Sequence, residues 1–188
     1  MRPRLAFVFA ILALAACPGG GSQDAGQLAV ELGTGTLDFE PITPEQDLEL
    51  IAGPQGGHHF IVHARATGLV PGDPSQPGQT GNPQTRFSVF DEDGLQVDLQ
   101  FPPYVLGYRD DGDGWYVLPS GRILQLVEVE VPRLYGTRVR IGVRVEDVLG
   151  ATGSDERWVR VIEGQVADSD AGVDAATLDV DAGIDAAQ

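Results

Sequence analysis

The sequence predicts an all-β fold, a two-sheet antiparallel sandwich. Three observations carry that expectation. Apolar residues recur at every second position, the period of a strand with one wet and one buried face. Gly/Pro-rich breaks separate the apolar segments at short intervals, and no apolar stripe of helical spacing reaches useful length.

Strands are expected near 28–33, 47–52, 58–67, 86–92, 95–101, 115–118 and 122–131. The Pro/Gly-rich stretch from Val70 to Pro83 breaks this series. It reads as a mobile loop, because proline cannot serve a central strand. Val127, Val129 and Val131 alternate with Glu128 and Glu130, and Val139, Ile141, Val143 and Val145 alternate with Arg138, Arg140, Arg144 and Glu146. Pairing these two segments across Pro132–Gly136 would set glutamates opposite arginines, each pair worth a few tenths of a kcal/mol.

The following hairpin is the clearest signal. The valine-rich segment ending at Asp147 meets an Asp-x-x-Gly turn, Asp147-Val148-Leu149-Gly150, and a second segment, Trp158-Val159-Arg160-Val161-Ile162, closes the domain. This hairpin resembles the last two strands of bacterial immunoglobulin-like modules. The resemblance implies an immunoglobulin-like antiparallel β-sandwich and nothing about a ligand.

The N-terminus has a different character. Met1-Arg2-Pro3-Arg4 precedes a charge-free run from Leu5 to Ala16, shorter than the roughly 20 apolar residues of a spanning helix and laid out like an export signal. The run ends Leu14-Ala15-Ala16-Cys17, which resembles the lipobox of bacterial lipoproteins. That resemblance implies cleavage between Ala16 and Cys17 and diacylglycerol carried on the Cys17 sulfur. Two or more acyl chains make an anchor stable where one is marginal. Pro18, where aspartate would signal inner-membrane retention, points to the outer membrane. Residues 1–16 are thus expected to be a signal peptide, 17–27 the lipidated cysteine and a flexible spacer, 28–165 the β domain, and 166–188 a disordered tail. Cys17 is the sole cysteine, so no disulfide helps the domain and its core must hold it together.

The chain contains no lysine. Without residues 1–16, ten arginines face 28 acidic residues, a net charge of −18. Such a surface repels phosphate backbones and anionic headgroups, which argues against nucleic-acid binding and polybasic membrane docking. Six of the acids lie in the tail from Asp168 to Gln188, where Asp-Ala-Gly-(Val/Ile)-Asp-Ala-Ala occurs twice. That composition has too little apolar surface to offset the entropy of ordering.

Candidate chemistry centres on Gly53-Pro54-Gln55-Gly56-Gly57-His58-His59-Phe60-Ile61-Val62-His63, which holds all three histidines. Imidazole is the commonest transition-metal ligand, so His58, His59 and His63 are the candidate copper or zinc ligands. On a strand, however, His58 and His59 point to opposite faces, and His59 and His63 stand about 13 Å apart. Imidazoles hydrogen-bonded at a sheet edge are the simpler expectation. The Gly-Pro-Gln-Gly-Gly-x-His segment, with the Asp/Ala-rich tail, resembles uncharacterised lipoproteins of myxobacteria; the likeness implies a sandwich domain and supplies no functional residues.

Two acidic turns, Asp91–Gly94 and Asp110–Gly114, offer oxygens for calcium, with Asp111 and Asp113 as candidate ligands. A full calcium loop needs further spaced ligands and a bidentate glutamate, and Asp-Gly is also preferred hairpin chemistry. No Gly-x-Ser-x-Gly, Ser–His pairing or His-x-x-Glu metallohydrolase motif is present, so no catalytic residue is assigned. Tyr104, Tyr108, Trp115 and Tyr116 surround the second acidic turn as a candidate binding edge. The expected role is a non-catalytic interaction or structural module of the cell envelope, its partner a protein or a glycan. A metal-binding lipoprotein is the alternative.

Overall fold

The computed structural model describes residues 27–53, 57–100, 103–127 and 131–164. The leader with Ala16 and Cys17, the spacer through residue 26 and the acidic tail lie outside them. The described chain is all-β except for one helical turn. Its elements are β1 (Ala29–Thr34), β2 (Glu40–Pro41), β3 (Gln46–Ala52), β4 (His58–Thr67), β5 (Gln84–Phe90), β6 (Tyr104–Val105), β7 (Arg109–Gly112), β8 (Trp115–Val117), β9 (Arg122–Gln125), α1 (Val131–Leu134), β10 (Arg138–Glu146) and β11 (Thr152–Glu163).

The β10–β11 hairpin forms as expected, in register from Arg138 opposite Arg160 to Glu146 opposite Thr152. Val139, Ile141, Val143 and Val145 are buried, each such burial worth about 1.5–3 kcal/mol. β5 pairs with the other edge of β10, and β3 runs parallel to β11. From β3 the hydrogen-bonded path continues through β4 to β1 and β2. The path curls back on itself, since β1 and β11, two strands removed along it, bond directly. The Leu28 amide donates to the Thr152 carbonyl at 3.0 Å, and the Leu32 amide to Asp155 Oδ2 at 2.9 Å. One core fills the curl, from Phe60, Val62, Ala64 and Ala66 of β4 to the β10 valines.

Several expectations need correction. In the expected 95–101 strand, described as far as Gln100, no strand forms; the segment touches its neighbours through the isolated bridges Phe90–Gln96 and Leu99–Leu126. It is divided between β5 and the chain beyond β9, so neither pairing extends. The strand expected over 122–131 is observed from Arg122 to Gln125; residues 128–130, which carry the expected pairing with Val139–Val145, lie outside the described residues, and β10 has β5 and β11 on its two edges. Val131–Leu134 is a helical turn. Pro132 lacks the N–H a ladder needs and suits the first turn of a helix. The short strands β2, β6 and β7 carry no apolar alternation that a sequence pattern could expose.

The Pro/Gly segment is a loop, as expected, and it is bonded internally. Asn82 ties it, accepting from the Asp73 amide at 2.7 Å and donating to the Gln76 carbonyl at 2.6 Å. The Asp73 carboxylate takes bonds from the Ser75 amide and hydroxyl and from Gln76 Nε2. These bonds, the Ser75 hydroxyl foremost, hold its pKa below the usual range.

The Asp147 turn has a twin. Asp147 Oδ1 accepts from the Leu149 and Ala151 amides, both at 2.9 Å, and Asp91 Oδ1 accepts from the Asp93 and Leu95 amides at 3.1 and 2.8 Å. The last residue of each tetrad is a glycine in the left-handed region, Gly150 at φ 81° and Gly94 at φ 78°. The second carboxylate oxygen then reaches a distant segment, the Val70 amide from Asp147 at 3.0 Å and the Arg133 guanidinium from Asp91 at 2.6 Å.

Asp147→Ala would leave three backbone amides without an acceptor. It is expected to destabilise the domain by about 1–3 kcal/mol, read as a lower urea midpoint at unchanged slope, with Asp147→Asn losing less. Equal midpoints for wild type and Asp147→Ala would show that the turn does not depend on the carboxylate.

Candidate functional site

Strand β4 places the three histidines, and it is no sheet edge. β1 and β3 flank one side of it, β8 and β9 the other, so the expectation of edge imidazoles is corrected. His58 shares a face with Phe60, Val62, Ala64 and Ala66, and its ring meets the edge of Tyr135 with centroids 6.3 Å apart. His59 and His63 lie on the opposite face, His59 partly exposed and His63 with no exposed surface.

His63 sits opposite Gly33 of β1. The missing side chain there makes room for Phe39, which packs edge-on against the imidazole at 5.8 Å; a Cβ on Gly33 would stand 2.4 Å from Phe39 Cε2. His63 Nδ1 accepts from the Ala64 amide at 3.1 Å, which assigns the proton to Nε2, and that atom is buried without a partner. Burial, reinforced by the charges of Arg122 and Arg109, pushes the His63 pKa down. His59 is also lowered, first by burial and then by neighbouring His58. Among the described residues no three His, Cys, Asp or Glu side chains stand together so as to hold a metal ion.

Phe39 also forms one side of a stack. The Arg65 guanidinium lies 4.6 Å from the Phe39 ring centroid and 4.6 Å from that of Trp115. It reaches Glu31 Oε2 from Nε at 2.8 Å and from a terminal nitrogen at 2.6 Å. A cation between two rings is held by their quadrupoles as well as by its carboxylate.

The acidic candidates occupy turns. Asp111 lies 3.9 Å from Arg65, and Asp113 holds a left-handed φ of 51° at the tip of the β7–β8 hairpin. Asp110 Oδ1 accepts from the Gly112 amide at 2.8 Å. The four aromatics of the expected binding edge separate. Tyr108 is core, its hydroxyl 2.7 Å from Thr85 Oγ1 and its pKa raised by burial. Trp115 belongs to the Arg65 stack, and Tyr116 packs against the core. Tyr104 alone lines a cleft.

The cleft lies beside Tyr104 on the outer edge of β5. β5 is paired on its outer edge only near its ends, Gln84 and Thr85 with β6 and Phe90 with Gln96. At this edge opens a cleft of about 200 Å³, lined by Arg86, Gln96, Asp98, Tyr104, Ile123 and Gln125 among others. The Tyr104 hydroxyl donates to the Ile123 carbonyl at 2.8 Å, its ring stands edge-on to Phe87 at 6.1 Å, and Arg122 lies 5.8 Å over it. Ile123 is 49% exposed. An aromatic ring, an exposed aliphatic and a rim of amides and charges suit the binding of a polar partner with an apolar face. Only the aromatic was visible beforehand, because the cleft joins segments far apart in sequence.

No family model matches the chain, and no curated protein matches it. Among solved structures, self-complemented MyfA, the major subunit of Myf fimbriae from Yersinia enterocolitica, is similar at 14% identity over 72% of this chain and 99% of that one. Its TM-score is 0.28, a likeness too slight to argue from.

The buried imidazole has a consequence for stability. Its folded pKa lies below the unfolded value of about 6.5, so above that pH both states are neutral and the group has no effect. As pH falls through about 6.5 the unfolded chain takes the proton first, and stability declines until the folded pKa is reached. His59 acts in the same direction. Urea unfolding between pH 7.5 and 5.5 is expected to show wild-type stability falling with acid and a shallower fall in His63→Leu; parallel curves would refute the assignment.

Proposed function

We propose that this chain is a lipid-anchored, non-catalytic protein of the cell envelope, held at the outer membrane by diacylglycerol on Cys17. The observation that carries the reading is Leu14-Ala15-Ala16-Cys17 at the end of a charge-free run behind two arginines. Among the described residues no helix is long and apolar enough to cross a membrane. The spacer from Cys17 to the start of β1 reaches about 40 Å when extended, enough to carry a domain clear of the headgroups.

The domain is proposed to be an immunoglobulin-like sandwich. Support comes from the long β10–β11 hairpin and from the β1–β11 bonds that fold the β4 side of the path over the β10 side. Its role is interaction, with the cleft beside Tyr104 as the surface offered to a protein or glycan. The groups gathered there include no nucleophile with an adjacent base, which favours binding over chemistry.

The anchor is tested by feeding expressing cells an alkyne fatty acid and fractionating them. The wild type is expected to carry label and to pellet with outer membranes, and Cys17→Ser to be unlabelled and to keep its leader. A wild-type chain that is soluble, or unlabelled, ends this reading.

A further inference from the structure

The ten arginines of the described residues divide unevenly. Arg65, Arg109, Arg133, Arg138, Arg140, Arg157 and Arg160 each have a carboxylate partner. Arg122 bonds the Ser120 carbonyl at 3.0 and 2.9 Å and lies over Tyr104. Arg86 and Arg144 alone have no hydrogen bond, ion pair or ring contact among the described residues. They stand directly opposite one another across β5 and β10, both exposed. With Gln84 and Glu146, the next pair along the ladder, they line a shallow depression on the sheet's outer face. Like charges placed directly opposite destabilise a strand pair. Carboxylates outnumber arginines more than twofold in this chain, yet among the described residues none forms an ion pair with either of these two, Glu146 in the same depression included.

We propose that Arg86 and Arg144 form a carboxylate-docking site whose occupant is the chain's own Asp-rich tail, residues 168–185. Two adjacent guanidiniums offer parallel N–H forks suited to carboxylates. The tail carries six aspartates and no base, so it complements the pair and is repelled by most of the remaining surface. Reach is sufficient. The tail departs beyond β11, and the stretch of β11 from Glu163 back to Ser154, which faces Arg144, is roughly 30 Å long at strand rise. Asp174, Asp179, Asp181 and Asp185 follow Gly164 by ten or more residues, a span of about 33 Å or more when extended. Tethering supplies an effective concentration in the millimolar range, so weak individual contacts suffice. The Glu146 carboxylate opposes one of the two positive charges and leaves the site net positive.

The experiment uses the full mature chain with Cys17→Ser, which contains no other cysteine, and Ala187→Cys carrying a nitroxide. At low salt the amide signals of Gln84–Ser88 and Arg144–Glu146 are expected to broaden at least twofold relative to the reduced label. Broadening is expected to vanish at 0.5 M salt, where screening is within about 4 Å, and in Arg86→Ser/Arg144→Ser, whose remaining spectrum reports an intact fold. Tenfold dilution should leave the effect unchanged. No broadening, or broadening that survives the double substitution, overturns the proposal. Loss on dilution assigns the site to a second copy's tail and overturns it too, as would an Arg86 and Arg144 side-chain response to inorganic phosphate with no tail effect, the mark of a site for an external anion.

Discussion

The structure depends on the backbone of β4. Every buried amide and carbonyl needs a partner, and this ten-residue strand meets that demand with four others: β1 and β3 on one side, β8 and β9 on the other. No partner spans it. Each covers part of its length, so the sheet must change direction there, and the β3 contact at Ala52–His58 hands the path on to β11. The side chains suit such a position. Phe60, Val62, Ala64 and Ala66 are all fully buried in the core.

The same strand explains why the conspicuous residues are structural neighbours first. His63 and Arg65 lie on the face of β4 away from the main core, yet that face is roofed by Phe39, admitted by Gly33. One aromatic ring therefore buries an imidazole and clamps a guanidinium. Without lysine, each positive charge sits on a planar group able to stack on a ring and grip a carboxylate together, and Arg65 is not alone in doing both. Arg138 does so with Trp158 and Glu45, and Arg140 with Phe90 and Glu156. These three cations each hold two kinds of neighbour at once. Arg86 and Arg144 depart from that pattern.

Much of the architecture was legible in period-two alternation. β1, β3, β4, β5, β8, β10 and β11 lie where the apolar positions put them, and the Asp147 turn could be read from four residues. Pairing was less legible. The sequence offers Glu128 and Glu130 as charge partners for the arginines of β10, but charge complementarity is common in such a chain and does not outweigh the apolar residues of β5 and β11 on the same edges. Pro132 was the overlooked signal, since a residue without an N–H beside a would-be hairpin is better placed in a helical turn. The histidine strand was read correctly in its alternation of faces and wrongly in its place at an edge, because alternation reports which way a side chain points and not how many neighbours its strand has. The cleft could not be read at all: it is assembled from β5, the 96–99 segment, β6 and β9, and each contributes only one to three residues.

The Pro/Gly connection from Val70 to Pro83 has a bearing on resistance to proteolysis. Endopeptidases bind their substrates extended over several residues, and exposed loops are where nicking concentrates. Here the longest connection of the domain is wound about Asn82 and Asp73 and fastened to its flank, with the Gly78 amide on the Val105 carbonyl at 2.8 Å and the Tyr108 amide on the Pro71 carbonyl at 2.8 Å. Unwinding it far enough to enter a protease cleft would break those bonds together. A domain with no cystine to hold cut ends in place is protected at this point by denying the first cut.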